Sequence, residues 1–149
     1  MKTLRCAVVL LALAGCAVSA TQPEIDMATE TLSDLQKAYP GAPEFARYLY
    51  RFQRRIDQGF FEEMGSWHHS GGAAPGSRHS FSILVVVLAD GRIGADDKDL
   101  KRSRKEEPVL TEVALRALGG ISDHPEAFSA ELVREIGRSF RYRARFYQR

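Results

Sequence analysis

The sequence predicts an α+β fold, a three-stranded antiparallel sheet with two main helices on one face, and three observations carry that prediction. Phe45, Tyr48, Leu49, Phe52 and Ile56 recur at i, i+3, i+4, i+7 and i+11, the spacing of one helix face. Residues 81–88 (FSILVVVL) are mostly apolar and rich in β-branched side chains, and Asp90-Gly91 follows, a dipeptide suited to tight hairpins because glycine tolerates positive φ. Near the C-terminus Phe140, Tyr142, Ala144 and Phe146 alternate strictly with Arg141, Arg143 and Arg145, the period of a strand with one face inward. Helix, strand, turn, strand, helix, short helix, strand is most simply solved by one sheet carrying its helices on one side.

Residues 1–20 read as a secretion signal. Lys2 and Arg5 supply a positive start, and residues 7–14 (AVVLLALA) form an apolar run shorter than the ~20 residues of a membrane span. Two cleavage readings stay open. Leu13-Ala14-Gly15-Cys16 resembles the lipobox of bacterial lipoproteins, which would make Cys16 the first mature residue and the lipidation site. Ala17, which is not Asp, would in that family direct the protein to the outer membrane. Alternatively Val18-Ser19-Ala20 suits ordinary cleavage after Ala20. Residues 21–42 are a polar leader in which Ile25, Ala28, Leu32 and Leu35 fall near helical spacing; a short amphipathic helix and a flexible tether both fit.

The domain proper is expected over residues 43–149. Pro43 suits the first helical position, where its missing N–H would go unbonded anyway, and Gly59 is a natural stop. Residues 65–80 (GSWHHSGGAAPGSRHS) read as a loop. Apolar on both faces, residues 81–88 should form the central strand. The next strand, over residues 92–101, is polar and belongs at an edge. A second helix starts near Pro108, with Leu110, Val113, Ala114, Ala117 and Leu118 as its stripe and Gly119-Gly120 as its end. A short helical segment follows over residues 130–137. The last strand, residues 139–147, packs an aromatic face inward and leaves an arginine face in solvent.

The chain has 149 residues, with 21 Lys+Arg against 19 Asp+Glu, and loss of Lys2 and Arg5 leaves 19 of each. So balanced a charge gives no argument for nucleic acid. Both cysteines, Cys6 and Cys16, lie in the signal region, so no disulfide holds the domain and its core must suffice alone.

Candidate chemistry is sparse. His68 and His69 are adjacent in a glycine-rich stretch with His79 further on, whereas zinc needs three or four convergent ligands on a rigid element. Asp96, Asp97 and Asp99 lack the glycine and closing glutamate of a calcium loop and read as a solvated strand edge. Adjacent Glu62 and Glu63 point about 100° apart on a helix, a poor acid–base pair. None of the serines sits in a nucleophile-elbow motif, and no glycine-rich phosphate loop is present. The chain therefore reads as a non-enzyme, with no metal and no cofactor expected. Trp67, Phe60 and Phe61 can cover one end of the core or meet a membrane or partner.

The collinear set of residues 44–56 (EFARYLYRFQRRI), 81–93 (FSILVVVLADGRI), 101–118 (KRSRKEEPVLTEVALRAL) and 128–146 (FSAELVREIGRSFRYRARF) resembles the C-terminal domain of the TonB and TolA energy transducers. The resemblance spans most of the chain after the leader and implies a protein-binding module of the periplasm. In that family a short segment of an outer-membrane receptor joins the sheet as an extra strand, in support of outer-membrane transport; envelope organisation is a second role of the same kind. Carried to this chain, the partner-binding residues would be Phe140, Arg141, Tyr142, Arg143, Arg145 and Phe146, with the arginines facing an acidic or polar partner. An edge strand can equally be a solvated one whose charges block aggregation, or can pair with a second copy as a homodimer. The family's transducers keep an uncleaved membrane helix and a long spacer. Here the apolar run is short and only 27 residues separate Cys16 from Pro43, a reach of at most ~90–100 Å. A stand-alone module tethered by lipid under the outer membrane fits that pattern better. Two other readings remain: a structural envelope lipoprotein that uses another surface, such as the arginines of the first helix, and a small metal-dependent enzyme built on the histidine loop.

Overall fold

The computed structural model describes residues 30–72 and 80–147. The signal segment with Cys16, the first part of the leader, His79 and the rest of the glycine-rich stretch lie outside the described residues. The fold is α+β: five helices and a three-stranded antiparallel sheet of order β2-β1-β3 among the described residues.

The leader contributes helix α1, Leu32–Ala38. Thr31 caps it in a reciprocal box: the Thr31 hydroxyl accepts the Asp34 N–H at 3.2 Å, and the Asp34 carboxylate accepts the Thr31 N–H. Hydrogen bonds from the Thr31 hydroxyl, at 2.7 Å, and then from the Thr31 N–H hold the Asp34 carboxyl below its ordinary range. Leu35 is fully buried, and the Tyr39 ring meets Phe45 edge-on at 5.1 Å, so this end of the leader is packed on the core.

Helix α2 spans Pro43–His69. Its first N–H groups, Glu44 and Phe45, donate to the two oxygens of Glu135 at 3.2 and 2.8 Å, a tertiary cap for donors no helix can satisfy internally. The expected stop at Gly59 is wrong. The apolar stripe continues through Phe60 and Met64, and a Cβ at Gly59 would lie 3.6 Å from that of Ala117, so this glycine lets two helices approach closely. The expected loop therefore starts at Ser70, and Gly71, at φ +76°, terminates the helix.

Strand β1, Ser80–Leu88, is central as expected. The hairpin turn forms at Asp90-Gly91: the Leu88 N–H donates to Arg92 C=O at 2.9 Å, and Gly91 sits at φ +84°, where a Cβ would lie 2.5 Å from the Glu126 carbonyl oxygen. Strand β2, however, is only Ile93–Ala95, far short of the expected residues 92–101. Helix α3, Asp97–Glu106, replaces the remainder. Asp96 starts it by accepting the Asp99 N–H at 3.0 Å, and the DKDLKRSRKE run has no alternating apolar face to hold a strand down.

Helix α4, Pro108–Asp123, buries the expected stripe but does not end at Gly119-Gly120. Both glycines are exposed, while Ile121 extends the stripe into the core. The Arg55 guanidinium closes this end by donating to the carbonyls of Ile121 and His124. The short helix α5, Ala130–Ile136, is capped by Ser129 and released by Gly137 at φ +84°.

Strand β3, Ser139–Tyr147, pairs along its whole length with β1, with Val85 opposite Tyr142. Helices α2 and α4 cover the face that carries Ile83, Val85, Val87, Phe140, Ala144 and Phe146, all buried. A fully buried Phe or Ile of this set contributes about 1.5–3 kcal/mol, so this one layer holds the domain together without a cross-link. Among the described residues, no helix is long and apolar enough to cross a membrane.

Candidate functional site

Strand β3 lies at one margin of the sheet, with β1 as its strand neighbour. Which of its backbone groups point away from β1 follows from three bonds on the other side of β1. The Leu84 N–H donates to Asp99, the Leu84 C=O accepts the Asp96 N–H, and the Leu88 N–H donates to Arg92 C=O. Even-numbered residues of β1 therefore turn their backbone groups toward β2, and odd-numbered ones toward β3. In the observed register the odd residues of β1 face Phe140, Tyr142, Ala144 and Phe146. The backbone groups of Arg141, Arg143, Arg145 and Tyr147 consequently point to the outer margin.

This sorts the six expected partner-binding residues. Phe140, Tyr142 and Phe146 turn their backbone to β1 and anchor the strand. The Phe140 and Phe146 side chains lie in the core, and that of Tyr142 is partly exposed. Arg141, Arg143 and Arg145 do lie on the opposite face, but that face is less open than expected. Arg141 pairs with Asp96 at 3.3 Å, and Arg143 with Asp99 at 3.5 Å. Arg143 also lies 3.5 Å from the Ser82 hydroxyl. The Asp96–Asp99 group, expected as a solvated strand edge, is instead a clasp. Asp99 is only 9% exposed and accepts the Leu84 N–H at 2.7 Å as well as the Arg102 and Arg143 guanidinium groups.

A further residue belongs to the site. Gln53 of α2, 1% exposed, reaches the margin of β3. Its Nε2 donates to the Arg145 carbonyl at 3.0 Å and to Asp57 Oδ1 at 2.9 Å, and its Oε1 accepts the Tyr142 hydroxyl at 2.6 Å. Burial, with the nearby Asp57 carboxylate, raises the Tyr142 phenol well above its ordinary range, so it stays a donor. Nothing in the sequence marks Gln53: between Phe52 and Arg54 it reads as surface, and its partners lie about ninety residues away.

Beside this margin, α2 runs parallel to β3, Phe45 near Phe140 and Phe60 near Phe146. Its flank there carries Tyr50 with the Arg54 guanidinium 5.1 Å above the ring. Further along, a groove of about 370 Å³ is lined by Arg54, Asp57, Gln58, Phe61 and Tyr147. Phe61 is 67% exposed, the most exposed large apolar side chain of the domain among the described residues. Of the aromatics expected to cover a core end, Phe60 does so, and Trp67 packs on the core with Arg116 above its ring.

His68 and His69 close α2 on its exposed end. Among the described residues, no group of three His, Cys, Asp or Glu side chains could hold a metal ion. No protein-family model, no curated protein and no solved structure matches this chain.

Proposed function

We propose that this chain is a stand-alone binding module of the TonB C-terminal type, which captures an extended segment of an envelope protein by strand addition at β3. One observation carries the reading: among the described residues a nine-residue strand lies at the sheet margin with Phe140 and Phe146 buried on one face and its arginine row on the other. The element order supports it too, a long helix, an apolar strand, a D-G turn, a second strand, a Pro-started helix and an arginine-aromatic last strand. In strand addition the backbone bonds supply affinity and alternate side chains supply selectivity. The module works in the periplasm, held to the outer membrane by a lipid on Cys16, in support of transport or envelope organisation, and it carries out no reaction.

The test is photocrosslinking in the native envelope. A photoreactive residue at position 141 should yield a discrete protein adduct, and one at position 101, on the outside of α3, should not. The double variant Arg141→Glu with Arg145→Glu should remove the adduct. Arg143 is left in place because Asp99 depends on it. Absence of any adduct at position 141 refutes strand capture. Intact mass of the protein from its own membrane fraction tests the anchor: a chain starting at a lipid-modified Cys16 supports it, and one starting at Met1 or Thr21 rejects it.

A further inference from the structure

Lysine is distributed unevenly along this chain. After the signal segment there are four lysines, and three of them, Lys98, Lys101 and Lys105, lie on α3. Positions 98, 101, 102 and 105 repeat at i, i+3, i+4 and i+7, so Arg102 joins the three within an arc of about 100°. All four side chains are exposed. The helix turns Asp99 and Ser103 away from this arc and buries them, and the exposed acids Asp97 and Glu106 lie on its two flanks. Four cations thus stand along about 10 Å of one solvent-facing row.

The two kinds of cation are used differently. Arg51, Arg92, Arg141 and Arg143 each reach a carboxylate, and Arg102 donates to Asp99. Lys98, Lys101 and Lys105 reach none among the described residues. A lysine ammonium is a compact point charge on a flexible stem, with no fork that matches a single carboxylate. A convex row of such charges suits a broad sheet of negative charge better than a compact anion or a fixed set of carboxylates. We propose that this face of α3 docks the domain on the surface of an anionic lipid bilayer. The inference rests on the chain's place in the envelope and makes no use of strand addition. Helix α3 takes over at the β2 margin, and the strand order puts β3 at the other margin, so the two surfaces are separate.

The contact is electrostatic. The one leucine of the helix, Leu100, is half-buried, and the exposed large apolar side chains Phe61 and Leu88 belong to other elements. The helix therefore rests on the headgroups, whereas an amphipathic helix sinks an apolar face into the acyl boundary. Each Lys or Arg held close to an anionic leaflet strengthens association about fivefold, and the attraction fades beyond a Debye length of about 10 Å at 0.1 M salt. Arg102, already compensated by Asp99, adds less than the lysines.

The probe is a pair of vesicle preparations, one of phosphatidylcholine and one with an equal part of phosphatidylglycerol, each mixed with the processed full chain. The readout is the rate of acylation at each lysine, followed by mass spectrometry. A chain starting at Cys16 and one starting at Thr21 both serve, because only the charge of the vesicle changes. Lys98, Lys101 and Lys105 should react several-fold more slowly on the anionic vesicles, while Lys37, exposed on α1, keeps its rate. Salt at ~0.5 M should remove the difference. In Lys101→Gln with Lys105→Gln, both at exposed positions, Lys98 should return to its rate on neutral vesicles. Equal rates on the two preparations overturn the docking face. Slowing of Lys37 in step with the other three means that the surface potential acts alone, and this overturns it too. Lys98 still slow in the double variant shows that the row is not the contact. A discrete protein adduct from a photoreactive residue at position 101 gives the face to an acidic protein instead, whereas failure of the adduct at position 141 touches strand addition alone.

Discussion

The two margins of this sheet are treated in opposite ways. On the β2 side, strand pairing lasts three residues and then a helix takes over, with Asp99 accepting the Leu84 N–H that a longer β2 would have bonded. On the β3 side, pairing with β1 runs for nine residues, and the Gln53 amide bonds the outward Arg145 carbonyl. Long flat edges invite unwanted pairing, and proteins usually shorten or cover them. This chain shortens and covers one edge and keeps the other long. Under the strand-addition reading proposed above, the long margin is the one that a partner would extend.

The comparison can be broken most severely at the strand that carries the long edge. Phe140 is 3% exposed and touches the rings of Phe45, Tyr48 and Phe128, so Phe140→Ala should cost about 3–5 kcal/mol in urea unfolding. The closed edge comes next. Asp99→Ala leaves the half-buried Leu84 N–H without its acceptor and should cost about 1–3 kcal/mol; Asp99→Asn, which keeps an acceptor oxygen, should cost visibly less. If both Asp99 variants are neutral, the clasp does not close that edge.

A smaller effect appears at high pH. The buried Tyr142 phenol keeps its proton above the ordinary value of 10.0, and burial pushes Tyr48 up to about 12. Unfolded tyrosine gives up its proton near pH 10, so the folded state binds more protons above that pH and stability falls as pH rises. For Tyr142 the slope should be about 1.4 kcal/mol per pH unit. Tyr142→Phe should flatten the alkaline branch of the unfolding curve by that amount, while stability between pH 6 and 9 shows only a pH-independent offset. The smallest effect is at the surface. Arg141→Glu breaks one largely exposed ion pair and should change stability by less than about 1 kcal/mol in urea unfolding.

Much of the fold was legible because it rests on periodicity. The Phe45–Ile56 spacing, the run into β1 and the alternation of β3 each specify an element and a face, and a one-residue slip would expose the whole set. Stops were less legible. Gly59 and Gly119-Gly120 look like ends, yet the former serves a close helix crossing and the latter lie on an exposed side, and no local signal separates these uses from a cap. The polar stretch after β2 was misread because Asp96 caps a helix only once β2 has placed it beside Leu84. At the candidate site the arginine row was visible in the alternation, whereas its partners Asp96 and Asp99, and the Gln53 amide, depend on contacts from about forty-five to ninety residues away.

Helix α1 has a consequence for reach. Its cap, Thr31, comes 15 residues after Cys16, so a lipid on that cysteine would lie at most 15 residues from the folded domain, not the 27 that reach Pro43. Covalent geometry limits that distance to roughly 50 Å. A domain anchored within that distance would sample a thin shell beneath its own leaflet. Any receptor segment in that shell is met at an effective concentration on the order of millimolar. A ladder of a few backbone bonds, too weak to hold a partner in free solution, would then be occupied much of the time and still released quickly.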